Sequence, residues 1–249
     1  HSRIKKQNSV TSATLFSLNL INLSYALLPW GGLFSQKKGK TMSEFKMIDM
    51  TTWPRRQHCA IFRNSLQPQY GISFTLDVTT IRQRMKAAGI PFSLAFIYAV
   101  AKCANEVENF RYRFAEGQVV LYDCINTSFT YLKEDEELFS QINVPMQDTL
   151  EEFVGLAQKT ITEQEDYFTV PPGNDSFIFS AVPWIPFQYV SHTFSGNKEA
   201  ACPMFDWGRF QEADGRTLLP FTVQVHHSFV DGIHIARFYE RLQDQLSIR

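Results

Sequence analysis

Hydrophobic residues recur along the chain with two periods, one typical of strands and the other typical of helices. The turn Ala115-Glu116-Gly117 between two short apolar runs also predicts a hairpin. Because the elements do not follow strict βαβ alternation, we predict an α+β fold with a mixed β-sheet flanked by helices. The predicted strands cover residues 47–53, 71–78, 112–114, 118–122, 128–132, 176–182 and 216–225, and the predicted helices cover 54–64, 80–89, 94–107, 149–167 and 233–246.

Threonine and serine residues mark the predicted starts of two helices, because their hydroxyls can accept the free backbone N–H groups there. Thr79 or Thr80 can cap the helix that ends at Gly89, a residue type that tolerates the left-handed conformation. Ser93 can cap the next helix, whose strongly apolar sequence predicts a central, buried position.

Composition excludes classes of function more than it identifies one. The chain has 249 residues, of which 44% are hydrophobic and 20% are charged, as in a globular protein with one large domain or two small ones. The net charge of −1 gives no electrostatic support for binding nucleic acid. The four cysteines lie far apart and form no CxxC pair, so we predict no metal site and free thiols in a reducing cytoplasm.

The first 41 residues differ in character from the rest of the chain. Basic residues precede a mildly apolar stretch from Leu15 to Phe34, which polar residues and Pro29 interrupt. A signal peptide or a membrane anchor needs a cleaner apolar run, so we predict no membrane association. We expect residues 1–41 to be a leader-like or appended, poorly ordered segment and residues 42–249 to form the functional domain.

A histidine pair near the C-terminus carries the strongest chemical signal. The segment Gln224-Val225-His226-His227-Ser228-Phe229-Val230-Asp231-Gly232 places two histidines at the end of a β-prone run, with an acid four residues after the second. Histidine has an ordinary pKa near neutrality, so a positioned histidine can act as a general base. A bare pair is more often two strand histidines beside an Asp-Gly turn. Matches elsewhere in the chain favour the catalytic interpretation.

Other separated segments point the same way. They are Trp53-Pro54-Arg55-Arg56-Gln57-His58, the helix 92–105, Asp123 with Phe129-Thr130, Ser180-Ala181-Val182-Pro183-Trp184, and Ala236-Arg237-Phe238. In order and spacing, these segments and the histidine motif resemble the trimeric chloramphenicol acetyltransferases across essentially all of residues 47–246. Dihydrolipoyl acyltransferase cores, condensation domains and carnitine acyltransferases carry related histidine motifs, and the Arg-Arg-x-His and Ser-x-x-Pro-Trp segments narrow the resemblance.

The resemblance implies a CoA-dependent acyltransferase fold and direct acetyl transfer from acetyl-CoA to a hydroxyl. His227 corresponds to the general base, and Ser180 corresponds to the residue that donates a hydrogen bond to the tetrahedral oxyanion. Asp231 and Arg55 correspond to an ion pair that keeps the imidazole in its direction. The alternatives are a structural histidine, an ordinary strand serine and an ion pair without catalytic consequence. The family also implies a homotrimer with active sites between subunits.

Further positions correspond to the family's binding residues. Trp184 and Phe210 correspond to the coenzyme side, although core packing is nearly as good an explanation for the tryptophan. The implied substrate-binding residues are Phe62, Tyr70, Phe139, Val190 and Asp206.

The acceptor side departs from the family's pattern. A tyrosine usual in the pocket is Phe62 here, and a threonine is replaced by Asp206. Gln141 and His192 stand where the family has small or apolar residues, and Pro91 replaces a lysine near the coenzyme. A carboxylate near the base would favour its charged form and make it a poorer base at low pH. These departures concern the identity of the acceptor more than the type of reaction.

Three functions therefore stay open. The first is chloramphenicol O-acetylation or acetylation of a similar small molecule, which gives antibiotic resistance. The second is acyl transfer to a different acceptor, such as another antibiotic, an amine or a thiol carrier. The third is a non-catalytic binding protein that retains the fold.

Overall fold

The structure is a computed structural model that describes residues 43–192 and 196–248. The expectation for residues 1–41 lies outside the described residues. The helices are α1 (Arg56–Arg63), α2 (Thr79–Ala88), α3 (Phe92–Asn105), α4 (Leu150–Glu163) and α5 (Gly232–Ser247). The strands are β1 (Phe45–Met47), β2 (Gln69–Asp77), β3 (Tyr112–Ala115), β4 (Gln118–Tyr122), β5 (Asn126–Tyr131), β6 (Ser140–Val144), β7 (Ser176–Val182), β8 (Met204–Gly208), β9 (Gln211–Ala213) and β10 (Arg216–His226).

The larger sheet has the strand order β2-β10-β8-β7-β5-β6, with β9 paired to β10. Strand β7 pairs in parallel with both β5 and β8, and the other pairings in this sheet are antiparallel. A smaller sheet has the order β1-β4-β3 and contains the predicted hairpin. The mixed sheet with flanking helices confirms the predicted α+β class.

Phenylalanines fill the core between the larger sheet and the helices. Phe205 and Phe221 project from neighbouring strands, and the Phe238 ring of α5 packs against both. Phe96 of α3 meets Phe221 edge to face, and both rings are fully buried. Burying one such side chain stabilises the fold by about 2 kcal/mol, so the many phenylalanines of the chain serve this layer first.

The opposite face of the same sheet is polar. Because side chains alternate along a strand, Thr222, Asp206 and Ser180 lie beside one another on this face of β10, β8 and β7. Thr130 of β5 and Gln141 of β6 pair with each other and share this side. Part of the connection between β7 and β8 covers it, since the His192 ring bonds to Asp206.

Three predicted boundaries were wrong for local reasons. The first strand ends at Met47, because the Asp49 side chain accepts the Thr51 N–H at 2.8 Å and forms a turn. Thr79 does not cap α2; Asp77 accepts its backbone N–H at 3.0 Å and Thr79 is the first helical residue. Helix α3 begins at Phe92 directly after Pro91, so Ser93 lies inside its first turn.

Two predicted helix ends or caps agree with the structure, and three strands were not predicted. Gly89 ends α2 in the left-handed conformation with φ +68°. Thr149 caps α4 and its hydroxyl accepts the Glu152 N–H at 3.2 Å, although α4 stops at Glu163 rather than at residue 167. Strands β6, β8 and β9 were not predicted. Strand β6 alternates polar and apolar residues at one edge of the sheet, and β9 is three exposed residues long. Strand β8 is central and mostly buried, but its five residues are too few to show a period.

Candidate active site

The turn between β10 and α5 carries the histidine motif. Strand β10 ends at His226, and Asp231 precedes the first residue of α5. The Arg55 guanidinium spans this turn: Nη2 donates to the His227 carbonyl at 2.9 Å and Nε donates to the Ser228 carbonyl at 2.8 Å. The same guanidinium donates to both carboxylate oxygens of Asp231, at 2.5 and 2.6 Å. One arginine therefore ties the start of α1 to the whole turn.

The ion pair is bidentate and partly shielded from solvent. The hydrogen bonds from Arg55 hold the pKa of the Asp231 carboxyl below its usual value. The predicted ion pair of Arg55 and Asp231 is thus present in the geometry expected for an orienting role.

Two aromatic rings enclose the His227 side chain. Phe62 stacks on the imidazole with ring centroids 3.7 Å apart and planes 7° apart, and Tyr70 lies 4.6 Å away at a tilt. The Tyr70 hydroxyl donates to the Val230 carbonyl at 3.2 Å, and burial raises the pKa of this phenol to about 12. Tyr70 therefore stays a neutral donor that holds the same turn.

The two nitrogens of the His227 ring have different surroundings. Nδ1 is buried and lies 3.2 Å from the nearer Asp231 oxygen, without the alignment of a hydrogen bond. The side chain as a whole is 35% exposed, so the exposed side of the ring is the one that bears Nε2. A reacting hydroxyl can approach this nitrogen, as a general base requires.

A cavity of about 1020 Å³ opens near the ends of β5, β7 and β8, and residues from both faces of the larger sheet line it, with Ile97 and Phe129 on the helix side. Ser180 and Gln141 belong to its wall, and Trp184, Phe139 and Phe210 supply aromatic surface. The Trp184 side chain is exposed, so it is available to a ligand rather than packed in the core. A cleft with apolar walls and a few polar groups is typical of small-molecule sites.

A histidine–aspartate pair lies beside Ser180 in this cavity. His192 lines the cavity, and its Nε2 lies 2.7 Å from an oxygen of Asp206. The Asp206 side chain is only 1% exposed, and its second oxygen has no partner among the described residues. Burial raises the pKa of Asp206, and the hydrogen bond to Asp206 raises the pKa of His192.

Within one chain, Asp206 does not lie beside His227. The carboxylate does not contact the His227 ring; it lies behind His192 and reaches the cavity only through that imidazole. Val190 is half-buried in the connection that leads to His192 and does not line the cavity. Phe62 and Tyr70 likewise lie at the His227 turn and not at the cavity wall.

The candidate site has two halves, the turn that carries His227 and the cavity that contains Ser180. Within one chain these two halves are far apart. Ser180 lies two strands away from Thr222 of β10, and His226 lies four residues further along β10. Strand spacings of about 4.8 Å and a rise of about 3.3 Å per residue separate Ser180 from His226 by about 16 Å. Side chains cannot close that gap to the contact distance that a shared reaction centre requires.

Asn109 also holds the turn, and the sequence analysis missed it. Its side-chain amide donates to the Phe229 carbonyl at 2.8 Å from the segment after α3. No local sequence signal marks such a contact between residues 120 positions apart.

Two other kinds of feature are absent from the part of the chain that the structure describes. It contains no group of side chains arranged to hold a metal ion, and none of its helices has the length and apolar character of a membrane span.

Comparison with known proteins decides the family. The family model described as chloramphenicol acetyltransferase matches residues 43–243. The chain belongs to the chloramphenicol acetyltransferase family. It is therefore an acyltransferase, and the resemblance inferred from the sequence segments is confirmed.

Individual members of the chloramphenicol acetyltransferase family match over nearly their whole length. Chloramphenicol acetyltransferase 2 of Escherichia coli is 32% identical over 203 residues, which cover 80% of this chain and 95% of that protein. The chloramphenicol acetyltransferase of Streptomyces acrimycini is 30% identical over 207 residues, covering 80% and 93%. A solved chloramphenicol acetyltransferase is 30% identical with a TM-score of 0.73, and the match covers 82% of this chain and 100% of that one.

More distant solved structures share the fold alone. The dihydrolipoamide acetyltransferase of Azotobacter vinelandii has a TM-score of 0.56 at 17% identity, covering 88% of this chain and 97% of that one. The CoA-dependent acyltransferase fold inferred from the sequence is confirmed.

Proposed function

We propose that this protein transfers the acetyl group of acetyl-CoA to a hydroxyl of chloramphenicol or a similar small molecule, and thereby gives antibiotic resistance. Relatives named for this reaction support the proposal, since they match almost end to end. The observation that carries it is the His227 ring, held by the turn with its Nε2 side exposed.

The proposed reaction proceeds without an acyl-enzyme. Nε2 of His227 accepts the proton of the acceptor hydroxyl while the oxygen attacks the thioester carbonyl and forms a new C–O bond. The carbonyl electrons move onto oxygen, and the Ser180 hydroxyl donates to that oxyanion. The C–S bond then breaks, and the leaving CoA sulfur takes the proton from His227. One such oxyanion donor is worth about 3 kcal/mol in the transition state.

Arg55 and Asp231 act on the direction of the base rather than on the substrate. Arg55 binds the carbonyl of His227 and the carboxylate four residues later, so the turn cannot rotate without breaking charge-assisted bonds. A base held in one orientation needs no reorganisation at the moment of reaction.

The binding residues divide between the two halves of the site. We place Phe62 and Tyr70 beside the acceptor, because both contact the His227 ring. We also assign Phe139 of the cavity wall and Val190, which lies outside that wall, to the acceptor side. Trp184 and Phe210 of the cavity wall are assigned to the acetyl-CoA side.

We further propose a homotrimer with each active site between two subunits. The supporting observation is the separation of about 16 Å between Ser180 and the end of β10 in one chain. A neighbouring copy can bring its own His227 turn to the Ser180 cavity, and closed cyclic symmetry repeats that contact identically at every interface. Acetyl-CoA as substrate and four unpaired thiols are consistent with a cytoplasmic location.

The test is an acceptor panel with purified protein and acetyl-CoA, followed by release of the CoA thiol. We expect release with chloramphenicol at micromolar concentration and none above background with the His227→Ala variant. Release of the CoA thiol with another acceptor but not with chloramphenicol would show that the enzyme acetylates a different substrate. No release with any acceptor would leave a non-catalytic binding protein.

A different acceptor is the second candidate, and one observation favours it. His192 and Gln141 add polar groups to the largely apolar wall around Ser180, and Asp206 bonds to His192 from behind that wall. A pocket for an apolar drug usually lacks such groups unless they are paired. An acceptor whose own polar groups pair with this wall would bind better than one that leaves them unpaired. The same panel separates the two candidates.

A further inference from the structure

The turn that carries His227 lies between two other histidines, each of which accepts a backbone N–H of that turn. The Ser228 N–H donates to Nδ1 of His226 at 3.1 Å. The Asp231 N–H donates to Nδ1 of His234 at 2.8 Å. These contacts close the turn from the strand side and from the helix side.

The hydrogen bonds determine where the protons of His226 lie. Because Nδ1 accepts a backbone N–H, it carries a lone pair and no proton. Nε2 lies 2.8 Å from the Lys198 carbonyl, which only accepts, so Nε2 carries the single proton. The buried His226 ring is therefore neutral and in one tautomer, and it ties the turn to the loop around Lys198.

His234 repeats this arrangement at the start of α5. It occupies the third helical position, where a side-chain acceptor commonly binds the backbone N–H of the residue that precedes the helix. Glutamate or glutamine usually fills this role, and here the Nδ1 lone pair fills it. A protonated His234 would present a donor to the Asp231 N–H, and the contact would become repulsive.

The surroundings of both rings disfavour a second proton. Burial lowers the pKa of His226, and the charges of His227 and Arg63 act in the same direction. The hydrogen bond with the Lys198 carbonyl and the charge of Glu199 oppose this shift without reversing it. Burial also lowers the pKa of His234, where Arg55 and Arg237 act in the same direction and Asp231 opposes them. Phe114 and Phe229 pack against the His226 ring. Charge and geometry therefore agree.

We propose that His226 and His234 are positioning residues that hold the His227 turn only while they are neutral, so that acid releases the turn as well as protonating the base. This inference rests on the proposed function in so far as His227 is the base. His226 and His234 touch no substrate; they act through the direction of the His227 ring.

The expected kinetic signature is a steep acid limb. Protonation of His227 alone lowers log(kcat/KM) with a slope of one per pH unit. Protonation of either flanking histidine removes a turn contact. The slope therefore exceeds one where the pH falls below the lowered pKa values of these rings, which lie under the ordinary imidazole value. The slope is measured only where circular dichroism shows a folded protein.

Substitutions that keep the acceptor but cannot titrate provide the test. In His226→Asn the side-chain oxygen takes the place of Nδ1, and in His234→Gln the side-chain oxygen reaches the Asp231 N–H as in an ordinary capping box. The double variant should show a slope of one, whatever its rate at pH 8. The matched variant His234→Leu lacks any acceptor, and its kcat should fall several-fold at all pH values without a comparable change in KM.

Nitrogen-15 NMR of the histidine rings gives a readout that does not depend on activity. We expect both rings as Nε2–H tautomers with pKa values below 6.5, assigned by the loss of one signal in each single variant. An Nδ1–H tautomer or an undepressed pKa in either ring would overturn the proposal, as would a wild-type acid slope of one or a double variant that stays steep. If no acceptor in the panel leads to release of the CoA thiol, the proposed function fails. The NMR result still decides whether His226 and His234 are held as neutral rings.

Discussion

The His227 turn and the Ser180 cavity treat their histidines in opposite ways. At the turn, His226 and His234 accept backbone N–H groups, and burial lowers the pKa of each. In the cavity, the His192 ring bonds to a buried carboxylate, and this bond raises its pKa. The same residue type is thus kept neutral in one region and favoured as a cation in the other. Local partners decide the charge.

The two regions also differ in how completely their carbonyl and carboxylate oxygens are paired. Arg55, Tyr70 and Asn109 bond to successive carbonyls of the turn. In the cavity, one oxygen of Asp206 has no partner among the described residues. A turn whose carbonyl oxygens are all bonded is preorganised, even though Nδ1 of its His227 has no hydrogen bond, whereas the unpaired oxygen of Asp206 is suited to a ligand that supplies the missing partner.

The largest effect is expected from removing the imidazole of the turn. His227→Ala should lower kcat by about 10³-fold, since a positioned general base contributes about 10²–10⁴. The assay is CoA thiol release with the acceptor that the panel identifies, alongside circular dichroism. His58→Ala, at an exposed histidine of α1, is the matched control. An unchanged rate in His227→Ala would show that the turn is not the catalytic half.

Removing the hydroxyl from the cavity half should have the next largest effect. Ser180→Ala should lower kcat by about 10²-fold with little change in KM, because the lost hydrogen bond forms in the transition state. Ser73→Ala provides the control, as its hydroxyl lies on the same sheet face but bonds to Thr222 outside the cavity wall. Equal losses in both variants would mean that the polar face matters only for folding.

Co-expression of the two inactive variants tests whether the His227 turn of one subunit meets the Ser180 cavity of its neighbour. Co-expressed His227→Ala and Ser180→Ala chains should recover about a quarter of the wild-type sites, because half of the neighbours supply each intact residue. Activity would then exceed that of the Ser180→Ala parent by about 25-fold and that of the His227→Ala parent by about 250-fold. The sum of the two parental rates, with no excess, would place both residues of a site in one chain.

The smallest effect concerns the charge of the cavity pair. Both pKa shifts in this pair are upward, so its contribution to stability is present at low pH and is lost as pH rises through the raised pKa of His192, above 6.5. Asp206→Asn removes this bond to a charged group and should cost about 1.5 kcal/mol at pH 6, and less at pH 9. Urea unfolding at both pH values measures the difference. A penalty that grows with pH would contradict the assignment of charge.

The main elements of the core were predictable because they bury apolar residues with a clear period. Strand β7 and the span of β10 follow continuous apolar runs, and α5 follows an amphipathic one. Strand β6 was not predictable in the same way, since Gln141 and Asn143 face the polar side and only Ile142 and Val144 mark the buried one. A strand whose pairing partners supply the burial needs little local signal.

The sequence alone determined the family and the α+β class and predicted the catalytic residues of the candidate site, because motif order and apolar periodicity are properties of the chain itself. Only the tertiary structure decided that Asp206 bonds to His192 behind the cavity wall, that Asn109 holds the turn, and that Ser180 and the end of β10 are about 16 Å apart in one chain. The physical reason is that these facts depend on strand order and register. Pairing of distant segments sets them, and no local pattern encodes them.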